Sequence, residues 1–504
     1  MPPGSAQVTA RVATRTRLLP LVWSDVAIVL ALAVVFLPVA GLRFVDGDEG
    51  AYLAAATLVT DGAFPYSDFL YTQMPLLPYV YGVWTAALGE DWFVARLLSV
   101  IFAVALGALL FRHLSARFGR SLGLLGLLLY ASTSLVLVWY VTVKTYAFTA
   151  LLVFGAYVLV ERSRRIGLGV WAVAGLLLGL AVDTRLLLLG AVAPFAWAAF
   201  RASDRLRSLA ALGAGFLLGL IPSLLLLAND PDRFLFGNLW YHGSRSSEGL
   251  IGDFEQKASV VANLLGIATD VRPHPQFLLL GLAALGAGIS TYVLRRRLPF
   301  ALTIAAFLVL VSLAPTPTYA QYVCIAVPFL VVGVIELAAV LRSKIDAGGE
   351  RAVKAVLVAG VATYVLLGAA DVYRFTARNP ENRIGAVQDV ATLVAANTRP
   401  GEEVVTGWPG YLFGSSAIPA AGLENDFAPH EASFLSAEKA HRYRMATVAD
   451  VAAMIRTHRT RLVVAKTWEN NLPPVADFEG EARRSGYRLL AEVNTVKVFA
   501  LSGE

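Results

Sequence analysis

The sequence predicts a polytopic α-helical membrane protein with about eleven transmembrane helices and a small extracytoplasmic α/β domain at its C-terminus. Two observations predict this fold class. Of the 504 residues, 57% are hydrophobic and only 15% are charged, and the mean hydropathy is +0.63. Long apolar runs also recur as far as about residue 370, and the density of charged residues rises after that point. This composition excludes a single soluble globule.

Most of the apolar runs are close to the ~20 residues that a helix needs to cross a bilayer core. They lie at 19–42, 92–111, 121–139, 145–160, 166–182, 186–200, 208–228, 276–294, 298–314, 321–341 and 352–370. A further run at 75–89 is shorter, which favours a re-entrant or interfacial helix. Counting that run as a span would move every later arginine cluster to the opposite side of the membrane.

Basic residues mark every second connection between these spans. Their clusters lie at 11–17, 112–120, 162–165, 201–207, 295–297 and 342–354. By the positive-inside rule we expect these clusters, and the N-terminal tail 1–18, on the cytoplasmic side of a plasma (inner) membrane. The net charge of +6 therefore reflects topology, and we expect no nucleic-acid partner.

The region 371–504 has a different character from the preceding spans. Segments such as IGAVQDVATLVAANT and TVADVAAMIRTH have helical spacing, whereas EEVVTG, RLVVAK and TVKVFAL are β-rich. Their alternation predicts a small α/β domain outside the membrane, joined to the last span by a linker at 371–382.

Cys324 is the only cysteine in the sequence, which excludes an internal disulfide and a cysteine-built zinc site. A Walker-type phosphate loop and an HExxH motif are also absent from the sequence. These motifs therefore give no reason to assign a cofactor. A divalent cation at the acidic residues of the first outer loop stays an open alternative.

That loop contains the stretch DGDEGAYLAAA, residues 46–56, in which Asp46, Asp48 and Glu49 lie within four positions. Acidic residues in a first helical turn stabilise a helix by ~0.3–1 kcal/mol, which is one interpretation. The other is a carboxylate at the membrane edge that accepts a proton from a substrate, as a general base does. The spacing by itself is compatible with both.

The residues that follow favour the second interpretation. The order DGDEGAYLAAATLVTDGAFPYSDFLYTQMPLLPYVYG and then LGEDWFVARLLSV resembles the GT-C superfamily of polyprenyl-phosphate-sugar-dependent glycosyltransferases. The resemblance is to the branch of the protein O-mannosyltransferases, aminoarabinose transferases and Rgt-type sugar transferases, and it covers about residues 41–200. The matching residues are Asp48, Glu49, Tyr52, Gly62, Tyr71, Pro75, Leu77, Gly89, Arg96 and Leu97.

This resemblance implies a GT-C-like transmembrane domain at 19–370, with the catalytic loop at 43–75. It implies an enzyme that moves a hexosyl or pentosyl group from a polyprenyl-phosphate donor in the bilayer to an envelope glycan, lipid or protein acceptor on the outer face. Inversion at the anomeric carbon is expected from the family. Asp48 is then the general base, and Glu49 orients it or binds sugar hydroxyls.

Two positions depart from the pattern of these relatives. Gln73 stands where many of them have a basic residue that holds the donor phosphate, and Lys144 stands where some have a second aspartate. Lys144 either replaces the missing cation or snorkels from a helix end. Arg185 is another candidate cation, unless it forms a local ion pair with Asp183.

Several further residues complete the predicted substrate site. The candidates are Tyr52, Tyr71, Gln73, Lys144, Arg185, His242, Tyr319 and Tyr322, with Arg233 and Arg245 as additional outer-face cations. Two rival functions are a transporter or flippase of lipid-linked sugars and a non-catalytic GT-C scaffold. The sequence shows no paired inverted halves, which disfavours the first, and the presence of Asp48 disfavours the second.

Overall fold

The computed structural model describes residues 23–163, 167–244, 249–267, 274–295, 298–342, 350–377, 382–466 and 476–501. The predicted α-helical fold class with a small C-terminal α/β domain is confirmed. The chain is a multi-pass membrane protein.

Most helices of the membrane domain overlap the predicted apolar runs, but the helices at Gly47–Thr60, Pro231–Leu235, Tyr241–Ser244 and Gly249–Leu264 lie outside them. They are α1 (Trp23–Leu42), α2 (Gly47–Thr60), α3 (Leu76–Leu88), α4 (Trp92–Phe118), α5 (Arg120–Ser132), α6 (Ser134–Trp139), α7 (Thr145–Arg162), α8 (Leu168–Thr184), α9 (Leu189–Phe200), α10 (Arg205–Gly219), α11 (Ile221–Asn229), α12 (Pro231–Leu235), α13 (Tyr241–Ser244), α14 (Gly249–Leu264), α15 (Pro275–Arg295), α16 (Phe300–Ser312), α17 (Val327–Arg342) and α18 (Glu350–Ala377). A 3-10 segment, Ala320–Ala326, leads directly into α17. Helix α18 continues past the predicted domain boundary at residue 370.

Six helices in the described part of the chain are long and apolar enough to cross a membrane on their own, or seven if the bent pair α10 and α11 forms one span. The count of about eleven therefore stays a prediction. The difference arises because several predicted spans are short apolar helices, such as Arg120–Ser132 and Phe300–Ser312. The run at 75–89 forms the short apolar helix α3.

Helix α2 starts with a capping box at the acidic stretch. The Asp46 side chain accepts a hydrogen bond from the first turn, and the Glu49 side chain accepts one from the Asp46 amide at 2.8 Å. This reciprocal arrangement satisfies amides that a helix leaves unpaired at its N-terminus. It fixes where the helix begins, and therefore the direction in which Asp48 points.

The C-terminal domain is built on a five-stranded sheet of order β2-β1-β3-β5-β4. Its strands are β1 (Glu403–Thr406), β2 (Ile418–Pro419), β3 (Leu462–Val464), β4 (Tyr487–Val493) and β5 (Val496–Leu501), and its helices are α19 (Ile384–Ala395), α20 (Ala428–Ala432), α21 (Ala437–Arg442), α22 (Val448–Arg456) and α23 (Phe478–Arg484). Strand β1 pairs in parallel with β2 and β3, and β5 pairs antiparallel with β3 and β4. The three predicted β-rich segments correspond to β1, β3 and β5.

This domain docks on the membrane domain at the start of α2. The ring of Trp408 stacks on Trp92, with centroids 5.8 Å apart, and its Nε1 donates a hydrogen bond of 2.8 Å to the Gly47 carbonyl. Phe413 also contacts Trp92, in a T-shaped arrangement with ring centroids 5.6 Å apart. Since both tryptophans are fully buried, the C-terminal domain forms a fixed contact with the acidic helix.

Gly50 makes this close approach possible. A Cβ atom at position 50 would lie 2.5 Å from Trp408 Cε2 and 2.8 Å from Gly410 Cα. We expect Gly50→Ala to lower the free energy of unfolding by about 1–3 kcal/mol through overpacking, although alanine is the better helix former. The measurement is thermal unfolding of the purified full chain in detergent. Gly213→Ala is the control, because nothing lies within 4 Å of its added Cβ, and an equal effect of both would contradict the prediction.

Candidate functional site

One polar cavity of about 140 Å³ lies where α2, the residues before α7 and the C-terminal domain meet. Segments far apart in the chain contribute to its lining. The lining residues are Asp46, Asp48, Ala51, Tyr52, Thr72, Gln73, Lys144, Tyr146, Arg185, Tyr241, His242, Tyr319, Gln321, Tyr322, Asn425, Asp426 and Phe427. The structure thus brings together Asp48, Tyr52, Gln73, Lys144, Arg185, His242, Tyr319 and Tyr322 of the predicted site, but not Glu49 or Tyr71.

Lys144 joins the two aspartates of the acidic stretch. Its ammonium lies 2.5 Å from Asp46 Oδ1 and 2.7 Å from Asp48 Oδ2, and the side chain is only 4% exposed. Burial acts to lower the pKa of Lys144, but the two carboxylates raise it well above its usual value. Lys144 is therefore a charged member of the cavity wall and does not snorkel toward a headgroup layer.

Asp46 and Asp48 differ in their surroundings. The Asp46 side chain is 19% exposed and also lies 3.5 Å from Arg43. Burial would raise the pKa of Asp46, but Lys144 and Arg43 hold it below its usual value, so it stays ionised. The Asp48 side chain is 46% exposed, and among the described residues its ionic partner is Lys144, which engages one of its two carboxylate oxygens.

Glu49 faces away from the cavity, which corrects the expectation that it contacts sugar. Its carboxylate is 0% exposed and binds Arg96 through both oxygens, at 2.9 and 2.6 Å. It also accepts hydrogen bonds from the amides of Asp46 and Val143. Arg96 in turn donates to main-chain carbonyls at the end of α1. Glu49 is therefore a positioning residue, which holds α2 and the residues before Lys144 in register with α4.

The acidic stretch does not fit a divalent cation. No group of three or more His, Cys, Asp or Glu side chains is placed to hold a metal ion within the described ranges. Asp46 and Asp48 converge on an ammonium, and Glu49 is committed to a guanidinium. A divalent cation between the two aspartates would meet the positive charge of Lys144.

Arg185 is a buried cation at the cavity wall. Its guanidinium lies over the rings of Tyr322 and Tyr146, at 4.4 and 5.2 Å from their centroids, and it donates a hydrogen bond to Thr145 at 3.1 Å. The predicted alternative of an ion pair with Asp183 is wrong, because Asp183 accepts hydrogen bonds from the Ser223 amide and hydroxyl instead. In the part of the chain that the structure describes, no carboxylate forms an ion pair with Arg185.

Tyr52 lies in the cavity wall, whereas Tyr71 is buried next to it and does not line the cavity. Tyr52 lines the cavity, and burial raises its pKa, so the phenol stays protonated and can donate a hydrogen bond. Tyr71 lies behind it, 4% exposed, with the two ring centroids 6.5 Å apart. Tyr71 therefore supports Tyr52, and the expectation that it binds substrate is not met in this structure.

The remaining candidates from the sequence lie at the cavity wall, at the contact between the two domains, or outside the described residues. His242 Nε2 lies 2.9 Å from the Thr72 carbonyl oxygen at the cavity wall. Arg233 pairs with Asp230 and donates to the Arg442 carbonyl, so it joins the C-terminal domain to the membrane domain. Arg245 lies outside the described residues.

The contribution of the C-terminal domain was missed by sequence reasoning. Its conspicuous aromatic residues, Trp408 and Tyr411, are buried in the docking contact. The residues that reach the cavity are Asn425, Asp426 and Phe427, in the connection between β2 and α20. A short polar connection of this kind has no sequence signal that distinguishes it from an ordinary turn.

Glu424 makes the stability of this connection depend on pH. Its buried carboxylate accepts hydrogen bonds from the Gly422 amide, and burial raises its pKa to about 7 from the usual 4.5. The folded chain thus keeps a proton that the unfolded chain loses, so this group adds stability below about pH 4.5 that is lost as the pH rises through about 7.

We expect Glu424→Gln to flatten this dependence. Across that interval the wild-type free energy of unfolding should fall by up to about 3 kcal/mol more than that of the variant. Unfolding of the full chain in detergent, followed at a series of pH values, measures the difference. Glu438→Gln, which changes an exposed carboxylate of the same domain, is the control. Parallel pH curves for wild type and Glu424→Gln would contradict the prediction.

Neither a family model nor a curated protein sequence matches the chain. Among solved structures, ArnT from Cupriavidus metallidurans matches with a TM-score of 0.65 when bound to undecaprenyl phosphate and 0.64 in the apo state. Both matches have 14% identity and cover 94% of this chain and 97% of ArnT.

The oligosaccharyltransferase of Archaeoglobus fulgidus, tethered with an acceptor peptide, also matches, with a TM-score of 0.50 at 13% identity. That match covers 95% of this chain and 74% of the archaeal protein. At these identities the likeness shows the fold. The chain therefore has the fold of ArnT and of the archaeal oligosaccharyltransferase, which both belong to the GT-C superfamily.

Proposed function

We propose that this chain is an integral-membrane glycosyltransferase that transfers a sugar from a polyprenyl-phosphate donor to a cell-envelope acceptor. The observation that carries the proposal is the single cavity in which Asp48, Lys144 and Arg185 meet, although they come from three separate segments. The structure of ArnT with undecaprenyl phosphate supports the donor class, because that protein has the same fold.

Asp48 is the general base in this proposal. The acceptor oxygen attacks the anomeric carbon while its proton passes to the Asp48 carboxylate. The bond between the anomeric carbon and the phosphate oxygen breaks, and its electron pair leaves with polyprenyl phosphate. Attack from the side opposite the phosphate gives inversion. Lys144, 2.7 Å from Asp48 Oδ2, holds the carboxylate in place.

Arg185 stabilises the phosphate as negative charge develops on it. Among the described residues no carboxylate pairs with this buried guanidinium, which is costly. A phosphate group would supply the countercharge through charge-assisted hydrogen bonds. Tyr146 and Tyr322 hold the guanidinium over their rings. Arg185, together with Lys144, therefore takes the role of the basic residue that is absent at Gln73.

The arginine clusters favour an orientation with the N-terminus in the cytoplasm and the cavity on the outer face of the plasma membrane. A sugar carried on a polyprenyl phosphate is available on that face, whereas nucleotide-sugars are confined to the cytoplasm.

The test offers the purified full chain, in lipid nanodiscs, a panel of polyprenyl-phosphate sugars with crude envelope extract, and measures released polyprenyl phosphate. We expect one donor to give release. We expect Arg185→Gln to lower that release about 100-fold, since it removes a charged donor from the developing phosphate. Arg459→Gln, which changes an exposed arginine paired with Glu403 away from the cavity, is the matched control.

One outcome would contradict the role of Arg185, and two others would contradict the proposed function. Release that is equal in wild type and Arg185→Gln would remove Arg185 from the phosphate site. Movement of intact donor across sealed vesicles without release would identify a transporter. No release and no movement with any donor would favour a scaffold.

A further inference from the structure

The C-terminal domain supplies one wall of the cavity. Asn425, Asp426 and Phe427 line it opposite residues of the membrane domain. Local hydrogen bonds fix this segment, because the Phe427 amide donates to Asn425 Oδ1 at 3.0 Å and the Ala428 amide donates to the Asn425 carbonyl. We call residues 425–427 the C-terminal wall.

Both cations of the described lining lie on one side of the cavity. That side, formed by the membrane domain, carries Lys144 and Arg185 together with Asp46 and Asp48, whereas the charged residue of the C-terminal wall is Asp426. Since Lys144 engages both aspartates, Arg185 is the cation that attracts an anionic phosphate, and Asp426 repels it. The donor therefore binds the membrane-domain side, and the acceptor is left facing the C-terminal wall.

The chemistry of this wall is suited to hydroxyl groups. A carboxylate accepts hydrogen bonds from hydroxyls, an amide both donates and accepts them, and a phenyl ring covers an apolar C–H face. An acceptor with its own negative charge would meet Asp426 and, at the base, Asp48. Like charges at such a contact are unfavourable, so they exclude anionic acceptors.

We propose that the acceptor is an uncharged saccharide, and that Asp426 and Asn425 bind its hydroxyls while one further hydroxyl is directed at Asp48. This inference rests on the proposed function and names the acceptor class for the same reaction. Asp426 is then a specificity-determining residue supplied by a domain other than the one that contains the general base.

The experiment uses the full chain with the donor identified by the release assay. It compares a neutral acceptor, a methyl hexoside, with its matched anionic form, the methyl hexuronide, and measures sugar transfer against donor hydrolysis by water. Wild type should use the neutral acceptor at least about tenfold better. Asp426→Asn should shift the partition about tenfold from transfer toward hydrolysis, and Asp426→Lys should reverse the preference in favour of the uronide.

Further variants separate recognition from folding. Asn425→Ala, in the same wall, should raise the KM for the neutral acceptor, and Glu438→Gln, an exposed site of the same domain, should not change it. The inference is overturned if wild type accepts the uronide equally well, if a peptide or an anionic lipid is the better acceptor, or if Asp426→Asn lowers transfer and hydrolysis together. A wild-type chain that consumes no donor would instead contradict the proposed function.

Discussion

Replacement of Asp48 by asparagine should lower sugar transfer about 10³-fold, within the range that a positioned general base contributes. Asparagine keeps the size and the hydrogen-bonding reach of the side chain but cannot accept the acceptor proton. The half-exposed position of Asp48 in the first turn of α2 makes a folding defect small. Steady-state transfer with the identified donor, together with the melting temperature of the same preparation, measures both effects.

Asp46→Asn is the matched control for this variant. It removes the other carboxylate bound to Lys144, yet asparagine is an equally good helix N-cap. If Asp48 acts as the base, Asp46→Asn should keep transfer within about tenfold of wild type, since no proton acceptor is lost. Equal losses in both variants would show that neutralising Lys144, and not proton transfer, is what the acidic stretch contributes.

The second large effect concerns stability. Glu49→Gln should lower the free energy of unfolding by about 3–5 kcal/mol, because it leaves the buried Arg96 guanidinium without its countercharge. The pair is fully buried and doubly hydrogen-bonded. Thermal unfolding of the full chain in detergent measures the loss.

Arg459→Gln provides the comparison, since it breaks an exposed ion pair with Glu403 and should cost less than about 1 kcal/mol. A catalytic role for Glu49 would give the opposite pattern, with transfer abolished and the melting temperature unchanged. The melting temperature of Glu49→Gln therefore distinguishes a positioning role from a catalytic role, even before the sugar donor is identified.

Much of the fold could be predicted because the position of a membrane helix is determined largely by its own local sequence. Apolar length and the alternation of arginine clusters located the helices, and β-branched runs located β1, β3 and β5. The short strand β2, Ile418–Pro419, has only two residues, too few to give a periodic signal. The number of transmembrane spans was harder to predict, because helices such as α5 are shorter than the length that crosses a bilayer.

The site shows where local reasoning stops. Asp48 and Glu49 are neighbours in sequence, but successive residues of a helix point about 100° apart, so one faces the cavity and the other faces α4. The direction of each depends on the capping box of Asp46, which the resemblance left outside the acidic pair. The opposition of Asp426 to Asp48 depends on tertiary packing, which a sequence pattern does not encode.

The docking of Trp408 on Gly47, 361 positions earlier in the chain, sets an order of events during synthesis. The acidic loop leaves the ribosome early, whereas the residues that brace it and those that form the C-terminal wall are made last. A chain that stops short, or whose final domain stays on the wrong side of the bilayer, would contain Asp48 without its support. Contacts between such distant segments form late in folding, so the proposed activity depends on delivery of the entire polypeptide.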